Sequence, residues 1–491
     1  MGRGLGPATA RLTQMYDLLA TTARARPDAL ALDDGARSWS YRELDQRVGA
    51  VAERLRALDV AGQVVALASE TTGAGAVAAH AVLRAGAVLA PVNPRLTADE
   101  LRPALDVLCP RLVLAAPEAW DRVLRADVRP VPLDALEGDD SDAPSRRAFP
   151  HAGWPTLPAR ARVILWTSGT GGRPRGVALT EANLAASIQG ASARLALDAT
   201  DRWLASLGLA HVGGLVLVLR AAATGALLVA RGRFLADEAA ALIEGGAVSH
   251  ASLVPTMLKQ LLDLIGDHPV PALRCLLVGG AVCPRPLLDA ALDARLPLAL
   301  TYGMTESTSQ AATAEPELIR RKPGTVGTPL EGVELKVDET GEVYLRGPTV
   351  AAGYVGSELP LLDAAGWLPT GDLGELDEDG HLWITGRRSD RIVTGGVNVD
   401  PIEIEDVLRL HAGVSEAVVV GVPDERWGEV VAAAVVRSVG AYPDPGELEE
   451  LTRTRLTTAK VPRRWLFLTE LPRNASGKVD RDAVRQGFAR A

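Results

Sequence analysis

Apolar and polar positions alternate in blocks through the first 300 residues, where short apolar runs are separated by segments with helical spacing. The runs "VVALASE", "AVLAPVN" and "RLVLAA", which begin at residues 64, 87 and 111, are typical of strands. A small-residue segment that reaches about Ala85 and a segment near residues 98–108 indicate the intervening helices. Such β–α alternation predicts parallel sheets covered by helices, so the fold class is α/β.

The chain before these units has a different pattern. Residues 16–27 predict a helix, residues 30–40 predict a short hairpin, and a second helix is expected from Tyr41. Ser40 and Glu43 have the spacing of a capping box, in which the two side chains satisfy free backbone N–H groups at a helix start. The sequence therefore fixes the expected start of this second helix.

The pattern changes again toward the C-terminus. Residues 136–160 are acidic and then proline-rich, and they predict a surface connection before β–α units resume up to about residue 310. After residue 320 short strands and turns follow, with a hairpin turn at residues 339–341. Beyond residue 389 a smaller α+β segment is predicted, with strands "SEAVVVGVP" and "EVVAAAVVR" and helices near 402–410 and 446–457.

Composition narrows the classes of function. The chain has 491 residues, which is too long for one ordinary core, and 47% hydrophobic and 23% charged residues are typical of a soluble globular protein. A net charge of −9 argues against nucleic acid as a partner, because phosphate binding needs a basic face. Three cysteines without CxxC or zinc spacing predict no disulfide and no structural metal, which favours a cytoplasmic location.

No membrane span is expected. The N-terminal segment lacks the apolar stretch of a signal peptide. The most apolar long window, residues 213–230, is interrupted by Arg220 and falls short of the roughly 20 apolar residues that a spanning helix needs. This window is therefore interpreted as buried core.

The stretch "ILWTSGTGGRPRGVALT", residues 164–180, is the first candidate for chemistry. It runs from a strand into glycines and hydroxyl residues, and such turns expose backbone N–H groups to phosphate oxygens. It is not the common phosphate loop, since GK[ST] is missing and "GVALT" reads as another strand. Alone it is also compatible with an ordinary flexible turn.

Three further motifs follow in order: "TYGMTE" at 301–306, the glycine- and aspartate-rich segment at 366–405, and "LPRNASGKVDR" at 471–481. Each has a structural alternative, namely a strand-end turn for 302–306, a turn cap for Asp372 and a solvated hairpin lysine for Lys478. Lys478 is notable because arginine is the usual basic residue here. The chain has five lysines: Lys259, Lys322, Lys336, Lys460 and Lys478.

Together the four motifs resemble those of the acyl-adenylate-forming enzymes, which include acyl- and aryl-CoA ligases, adenylation domains of peptide synthetases and luciferases. The resemblance extends from "SWSYRELDQRV" to Lys478. It implies a large N-terminal domain over 1–388, with β-sheets flanked by helices and a β-rich subdomain. It also implies a small, mobile α+β C-terminal domain over 389–491, joined by a hinge at about Ser389–Asp390.

The resemblance also implies ATP and Mg²⁺, because the family joins a carboxylate to the α-phosphate of ATP. Two like charges about 4 Å apart repel by about 4 kcal/mol at an effective dielectric near 20, so cations and N–H groups must offset that repulsion. Lys478 would bridge the carboxylate and the α-phosphate, Thr305 would contact the α-phosphate, and Glu306 with Thr170 would bind Mg²⁺. The implied nucleotide contacts are Thr167, Ser168, Gly169, Thr170, Gly171, Gly172 and Arg175 for pyrophosphate, Gly279, Gly280, Ala281, Tyr302 and Gly303 for adenine, and Asp372 with Arg387 for ribose.

CoA is the second implied co-substrate, because in CoA ligases its thiol attacks the acyl-adenylate and releases AMP. Gly395, Gly396 and Trp427 match the family positions that line the pantetheine tunnel. Two departures stand out: the loop ends Pro174-Arg175-Gly176 instead of P-K-G, and the turn reads Gly395-Gly396-Val397-Asn398 instead of G-G-E-N. Arginine keeps the charge, and the missing acid affects only contacts at the CoA stage.

The acid substrate is predicted from residues 208–221, "GLAHVGGLVLVLRA". No acidic residue stands where amino-acid-activating domains hold the substrate ammonium, while His211 matches a histidine of CoA ligases near the acyl pocket. Arg220 is compatible with an arginine that reaches the surface, or with a buried cation that faces a second substrate carboxylate. The second interpretation points to the o-succinylbenzoate–CoA ligases of menaquinone synthesis. That subfamily is also similar to this chain in the segments "LRCLLVGGAVCPRPLL", "TYGMTESTSQ" and "RRSDRIVTGG".

That resemblance places His211, Gly214, Arg220, Ser307 and Gln310 near a small carboxylic acid. Three alternatives stay open: another aryl- or fatty-acyl-CoA ligase, an adenylation enzyme that loads a carrier protein, and a non-catalytic nucleotide-binding protein. A homodimer or higher oligomer is also left open by the sequence.

Overall fold

The computed structural model describes residues 18–126, 128, 130–133, 135, 157–167, 175–266, 268–356, 360–473 and 478–490. The first part contains α1 (Leu18–Ala25), β1 (Leu30–Asp33), β2 (Ser38–Ser40), α2 (Tyr41–Ala57), β3 (Val64–Ala68), α3 (Gly73–Arg84), β4 (Val88–Val92), α4 (Ala98–Leu108), β5 (Leu112–Ala115), α5 (Trp120–Arg125) and β6 (Val131–Pro132). These elements confirm the predicted β–α alternation. Most of the predicted connection at 136–160 lies outside the described residues.

The central part continues the alternation. It contains β7 (Ala161–Thr167), β8 (Arg175–Thr180), α6 (Glu181–Arg194), β9 (Arg202–Leu204), α7 (Val212–Thr224), β10 (Leu227–Val229), α8 (Ala236–Glu244), β11 (His250–Leu253), α9 (Pro255–Ile265), β12 (Cys275–Val278), α10 (Arg285–Asp293), β13 (Leu298–Met304), β14 (Ser309–Ala314) and α11 (Pro316–Arg321). The strand that follows the glycine-rich stretch is β8, as predicted.

The last part is richer in strands. It contains β15 (Thr328–Pro329), β16 (Glu334–Val337), β17 (Glu342–Arg346), β18 (Gly353–Val355), β19 (Leu368–Leu376), β20 (Leu382–Arg387), β21 (Ile392–Thr394), β22 (Val397–Val399), α12 (Pro401–Arg409), β23 (Val414–Asp424), β24 (Gly428–Arg437), α13 (Pro445–Arg455), β25 (Arg464–Leu468) and α14 (Arg481–Arg490). Short 3₁₀ turns lie at Pro117–Ala119, Thr305–Ser307, Arg388–Asp390 and Thr458–Lys460.

Four sheets organise these strands. A nine-stranded sheet has the order β15-β14-β13-β12-β11-β9-β10-β1-β2, and a seven-stranded sheet has the order β18-β8-β7-β4-β3-β5-β6. A four-stranded sheet, β16-β17-β19-β20, follows, and the last sheet is β22-β21-β24-β23 with β25 beside β24. Strands β9, β11, β12 and β13 run parallel, so their carboxyl ends share one edge. The α/β fold class is thereby confirmed.

Local sequence signals explain several element boundaries. Ser40 caps α2, and Glu43 reaches back to the Ser40 N–H, which confirms the predicted capping box. Thr180 and Asn183 form a second capping box at the start of α6, directly after β8. The predicted turn at 339–341 joins β16 and β17 as an antiparallel hairpin. The predicted helices near 402–410 and 446–457 correspond to α12 and α13.

The long apolar window at 213–230 is confirmed as core, because helix α7 and strand β10 within it are largely buried. In the part of the chain that the structure describes, no helix combines the length and apolar character needed to cross a membrane.

Candidate active site

Charged side chains from distant parts of the chain meet beyond the carboxyl ends of the parallel strands, where open α/β sheets bind ligands. Lys478, which precedes α14, faces Arg387, Asp372 and Glu306. The Lys478 side chain is partly open to solvent. Partial burial of its ammonium among protein groups and the Arg387 charge lower its pKa below the usual value. The cleft therefore brings together a cation and two carboxylates that the sequence analysis had singled out separately.

Asp372 is a buried member of this group and belongs to β19, so the alternative role as a turn cap is wrong. Tyr302 Oη donates a hydrogen bond to Asp372 Oδ2 at 3.0 Å, and Arg387 Nε donates to Oδ1 at 2.5 Å. Burial and the Asp372 charge raise the pKa of Tyr302, so its hydroxyl stays a donor. Strand pairing sets the geometry, because Asp372 lies opposite Arg387 in the β19–β20 ladder.

The predicted adenine-framing glycines lie where the backbone leaves little room. A Cβ on Gly279 would lie 2.6 Å from Thr301 Cγ2, and a Cβ on Gly303 would lie 1.7 Å from the Ser309 carbonyl oxygen. Gly280 has a φ of +79°, a conformation that glycine adopts at no steric cost. Gly279 and Gly280 follow β12 and Gly303 lies beside Tyr302 in β13, while Ala281 is exposed next to Gly280.

Glu306 sits in the 3₁₀ turn Thr305–Ser307 at the end of β13, and it is 8% exposed. Its Oε1 accepts a hydrogen bond from Tyr354 Oη at 3.2 Å, and its carbonyl accepts from the Ala351 N–H at 2.8 Å. The two residues that follow the turn, Thr308 and Ser309, have φ of +53° and +83°. Glu306 and the neighbouring Thr305 are thus held at the cleft by a turn with unusual backbone geometry.

Tyr354 was missed by the sequence analysis. The Arg175 guanidinium lies 5.4 Å from the centre of the Tyr354 ring, and the Tyr354 hydroxyl donates to Glu306, so Tyr354 connects Arg175 to Glu306. Burial and the Glu306 charge raise the pKa of Tyr354 to about 12. A tyrosine on a three-residue strand carries no local signal, and only the pairing of β18 with β8 brings it here.

The Glu306 carboxylate fits the requirements of Mg²⁺. This ion usually takes one or two protein carboxylates and keeps phosphate and water oxygens as its other ligands. Tyr354 donates a hydrogen bond to Oε1 of Glu306. The other carboxylate oxygen, Oε2, accepts no hydrogen bond from the described residues. The other group of metal-ligand type among the described residues, Asp377, Asp379 and His381, instead surrounds Lys322 Nζ, which forms ion pairs with both aspartates.

The first turn of α7 carries two of the predicted substrate residues. His211 precedes the helix as its N-cap residue and is half-buried; burial, Lys478 and Arg95 lower its pKa, so it is neutral near pH 7. Gly214 is required for packing, because a Cβ there would lie 2.3 Å from the Gly208 carbonyl oxygen. His211 therefore lies near Lys478, and Gly214 sets how closely the helix approaches the loop before it.

Arg220 does not reach the surface, so the surface alternative for this residue is wrong. The side chain is 3% exposed and its guanidinium stacks 5.6 Å from the centre of the Trp203 ring. Burial lowers the pKa of Arg220 to about 10, and its Nε has no hydrogen-bond partner within the described residues. Arg220 lies in the last three turns of α7, nine residues beyond His211.

Ser307 and Gln310 are both buried beside the Glu306 turn. Ser307 Oγ accepts from the Met304 N–H and lies 3.1 Å from the carbonyl oxygens of Met304 and Ser309, so this hydroxyl stabilises the turn. Gln310 Nε2 donates to Thr313 Oγ1 at 2.9 Å. Gln310 Oε1 is buried and has no partner in the portion of the chain that is described. Their contacts with a substrate stay predictions.

The predicted CoA positions also come together. Gly395 N–H donates to the Trp427 carbonyl at 2.9 Å, and a Cβ on Gly395 would lie 2.6 Å from Trp427 Cε3. Gly395 and Gly396 both have positive φ, so the turn folds tightly over the indole. Val397, which replaces the expected acid, is 46% exposed. Of the phosphate loop, Thr167 ends β7 and Arg175 begins β8, whereas Ser168, Gly169, Thr170, Gly171 and Gly172 lie outside the described residues.

Comparison with known proteins identifies the family. The AMP-binding enzyme family model matches residues 19–355, and the model of the AMP-binding enzyme C-terminal domain matches residues 403–478. The chain belongs to the AMP-binding enzyme family. This confirms the resemblance that was inferred from the four motifs.

Individual relatives are similar over nearly their whole length. A 2-succinylbenzoate–CoA ligase of Bacillus cereus is 36% identical over 96% of this chain and 98% of its own. The structure of o-succinylbenzoate CoA synthetase (MenE) from Bacillus subtilis with the acyl-adenylate intermediate OSB-AMP has a TM-score of 0.86 at 31% identity, and covers 96% of this chain and 98% of that chain. Its complex with ATP and magnesium has a TM-score of 0.85 at 31% identity, over 95% and 98%.

Proposed function

We propose that this protein is an ATP-dependent acid–CoA ligase that acts on 2-succinylbenzoate. The carboxylate attacks the α-phosphate of ATP, which forms an acyl-adenylate and releases pyrophosphate. The CoA thiol then attacks the acyl carbon, AMP leaves, and the thioester remains. One observation carries the proposal: Lys478, from the C-terminal part of the chain, faces Glu306 and Asp372 in one cleft, as joining two anions requires.

Each charged group of the cleft has a role in this reaction. Lys478 offsets the repulsion between the carboxylate and the α-phosphate, and its compact ammonium suits a group that must enter and leave. Asp372, held by Tyr302 and Arg387, accepts hydrogen bonds from the ribose hydroxyls. Glu306 would hold Mg²⁺, which would supply positive charge to neutralise the phosphates. His211 is neutral near pH 7 and adds no charge beside the attacking carboxylate.

The chain contributes to CoA transfer through a second group of residues. The turn at Gly395 packs on Trp427, whereas a Cβ on Gly396 would meet no atom within 4 Å, so the turn leaves room at Gly396 for the thin pantetheine arm. Lys478 must leave the cleft before the thiol approaches. The proposal therefore includes a domain boundary between residues 388 and 389, about which the C-terminal domain rotates. A homodimer and a cytoplasmic location stay predictions.

The choice of 2-succinylbenzoate rests on its second carboxylate and on the named relatives. A buried guanidinium is costly without an anionic partner, and Arg220 Nε has no hydrogen-bond partner among the described residues. The carboxylate of the succinyl side chain is such a partner. An acid that lacks the second carboxylate would leave the buried Arg220 guanidinium without this anionic partner.

The test is pyrophosphate release with ATP, Mg²⁺ and CoA across 2-succinylbenzoate, benzoate, 4-hydroxybenzoate and fatty acids, with thioesters identified by mass spectrometry. Preference for 2-succinylbenzoate is expected, and Arg220→Met should reduce the ratio of its kcat/KM to that of benzoate. Arg122→Met, which removes a partly exposed arginine that binds a backbone carbonyl near α5, is the control and should leave the ratio unchanged. Preference for a monocarboxylate would retain the two-step reaction but contradict the assignment of substrate and of Arg220. Adenylate formation without CoA turnover would instead indicate a carrier-protein-loading enzyme.

A further inference from the structure

The turn that carries Glu306 is held only in part by its own hydrogen bonds, which the Ser307 hydroxyl makes with Met304 and Ser309. Thr308 and Ser309 occupy a left-handed backbone region that residues with a Cβ rarely adopt, and such conformations persist where the surroundings hold them. The turn is buried, since Glu306, Ser307 and Thr308 are each less than 9% exposed. Side chains and backbone of neighbouring elements therefore supply the rest of its support.

A loop at residues 348–351 supplies one set of contacts. Thr308 Oγ1 donates to the Thr349 carbonyl at 2.6 Å, and the Ala351 N–H donates to the Glu306 carbonyl at 2.8 Å. Tyr354, three residues further along, donates to the Glu306 carboxylate. The turn and this loop thus form one hydrogen-bonded unit on the wall of the cleft.

Helix α6 binds both parts of that unit from behind. Ser187 Oγ, on a fully buried side chain, donates to the Thr308 carbonyl at 2.5 Å. Asn183 Nδ2 donates to the carbonyls of Pro348 at 2.7 Å and Val350 at 2.8 Å. Asn183 Oδ1 meanwhile accepts from Thr180 N–H and Oγ1, which fixes the amide orientation.

We propose that Asn183 and Ser187, here called the α6 clamp, are positioning residues that hold the Glu306 carboxylate for the Mg²⁺–ATP complex. The inference rests on the proposed function and deepens it. Helix α6 begins where β8 ends, and β8 directly follows the phosphate loop. The clamp therefore fixes the glutamate turn relative to the strand that carries the loop, although neither clamp side chain contacts the cleft groups named above.

Helix α6 offers a matched control. Ser192 lies five residues beyond Ser187 on the same helix, and its hydroxyl is buried without a hydrogen-bond partner in the described part of the chain. Ser187→Ala and Ser192→Ala both remove one buried oxygen, but only the first removes a contact with the turn. Asn183→Asp is the second test variant: it keeps the Oδ1 acceptor for the helix cap and replaces the donor that faces Pro348 and Val350.

Two measurements read out the clamp. The first is the Mg²⁺ dependence of acid-dependent pyrophosphate exchange; Ser187→Ala should raise the half-maximal Mg²⁺ concentration roughly three- to tenfold, as expected for one lost hydrogen bond. The second uses no acid: the rise in melting temperature caused by ATP with Mg²⁺, compared with ATP and EDTA, should shrink. Asn183→Asp should act in the same direction, and Ser192→Ala should match the wild type in both.

The proposal is overturned if Ser187→Ala and Ser192→Ala give the same Mg²⁺ dependence and the same ATP-induced stabilisation. It is also overturned if Asn183→Asp lowers the melting temperature of the free protein but leaves the Mg²⁺ dependence unchanged, because the role would then be purely structural. Failure of the proposed function is distinct: the wild type would exchange no pyrophosphate with any acid, while the ATP-induced stabilisation would still report on the clamp.

Discussion

Tyr354 gives the clearest case of a single side chain that the site depends on. Its hydroxyl binds Glu306 Oε1, and its ring lies under the Arg175 guanidinium. The sequence predicted Glu306, Asp372 and Lys478 because each lies in a motif of recognisable spacing. Tyr354 could not be predicted in this way, since it reaches Glu306 only through the antiparallel pairing of β18 with β8, some 180 residues apart in the chain.

Replacing Tyr354 by phenylalanine should weaken the first half-reaction. A hydrogen bond to a charged group is worth about 1.5–3 kcal/mol, so kcat/KM for acid-dependent pyrophosphate exchange should fall roughly tenfold or more. The half-maximal Mg²⁺ concentration should rise as well. Tyr442→Phe, at an 83% exposed tyrosine, is the control and should change neither value. A Tyr354→Phe enzyme with wild-type Mg²⁺ dependence would show that this contact does not position Glu306.

Arg220 shows what residue patterns leave undecided. An arginine in an apolar run is compatible with a surface position or a buried one, and the pattern does not distinguish them. The structure does, because Trp203 on β9 covers the guanidinium, and β9 lies beside β11 in the sheet. That neighbour relation depends on strand order, which no local spacing encodes.

At the scale of elements, helix α7 is positioned by the close approach of its first turn to the preceding loop. Gly214→Ala would place a Cβ 2.3 Å from the Gly208 carbonyl oxygen and 2.5 Å from that of Leu207. Because both obstacles are backbone atoms, the helix must shift. A loss of about 1–3 kcal/mol is expected, measured as a lower melting temperature, together with weaker binding of the acid near His211.

Gly213 provides the matched control for this prediction. A Cβ on Gly213 would meet Leu207 Cδ1 at 3.1 Å, and that atom is the end of a flexible side chain. Gly213→Ala should therefore be tolerated, with a melting temperature near that of the wild type. Equal destabilisation by the two substitutions would contradict this account, because alanine is the better helix former at both positions and only the Gly214 Cβ would meet backbone atoms.

The packing of α3 against α7 carries a pH dependence. Burial and the Arg84 charge lower the pKa of His80, on α3, to about 4, despite a hydrogen bond to Val218 that raises it. The unfolded chain takes up a proton near pH 6.5, whereas the folded protein resists it until about pH 4. Stability contributed by neutral His80 is therefore complete above pH 6.5 and is lost as the pH falls toward 4.

Melting temperatures between pH 7.5 and pH 4.5 test this dependence. The decrease on acidification should be smaller for His80→Gln, which cannot titrate, than for the wild type. His268→Gln, at an exposed histidine paired with Glu244, should follow the wild-type curve. Parallel curves for His80→Gln and the wild type would contradict the assignment.

At the scale of the whole molecule, ion pairs lie on both sides of the predicted hinge. Arg388 binds the buried Glu342 of β17, on the N-terminal side. Asp390 binds Arg481 at 3.2 Å, and Arg481 also binds Glu405 at 2.7 Å on the C-terminal side. Ser389 lies between these anchors. We propose that rotation of the C-terminal domain is confined to this short segment. Lys478 would move with the domain, because Arg481, three residues further along the chain, is bound to Asp390 and Glu405.

Local patterns in the sequence predicted those features that depend on residues close together in the chain, and not those that depend on distant residues. The capping box at Ser40, the hairpin turns and the β–α alternation depend on neighbours within a short stretch of chain, and these predictions were confirmed. The pairing of β1 with β10 and the meeting of Lys478 with Asp372 depend on residues more than 100 positions apart in the chain. The family resemblance predicted that Lys478 and Asp372 lie in one site, because the motifs of the family come from residues that share a site although they are distant in the sequence.

We propose that one cleft performs both half-reactions with different residues. The measurement is single-turnover analysis of acyl-adenylate formation from 2-succinylbenzoate and ATP, and of thioester formation from supplied acyl-adenylate and CoA. Lys478→Ala should slow the first step roughly 100-fold or more and spare the second, while Trp427→Ala should do the reverse. Lys336→Ala, whose ammonium lies over Trp367, is the control and should leave both steps unchanged. Equal loss of both half-reactions in Lys478→Ala would contradict the account.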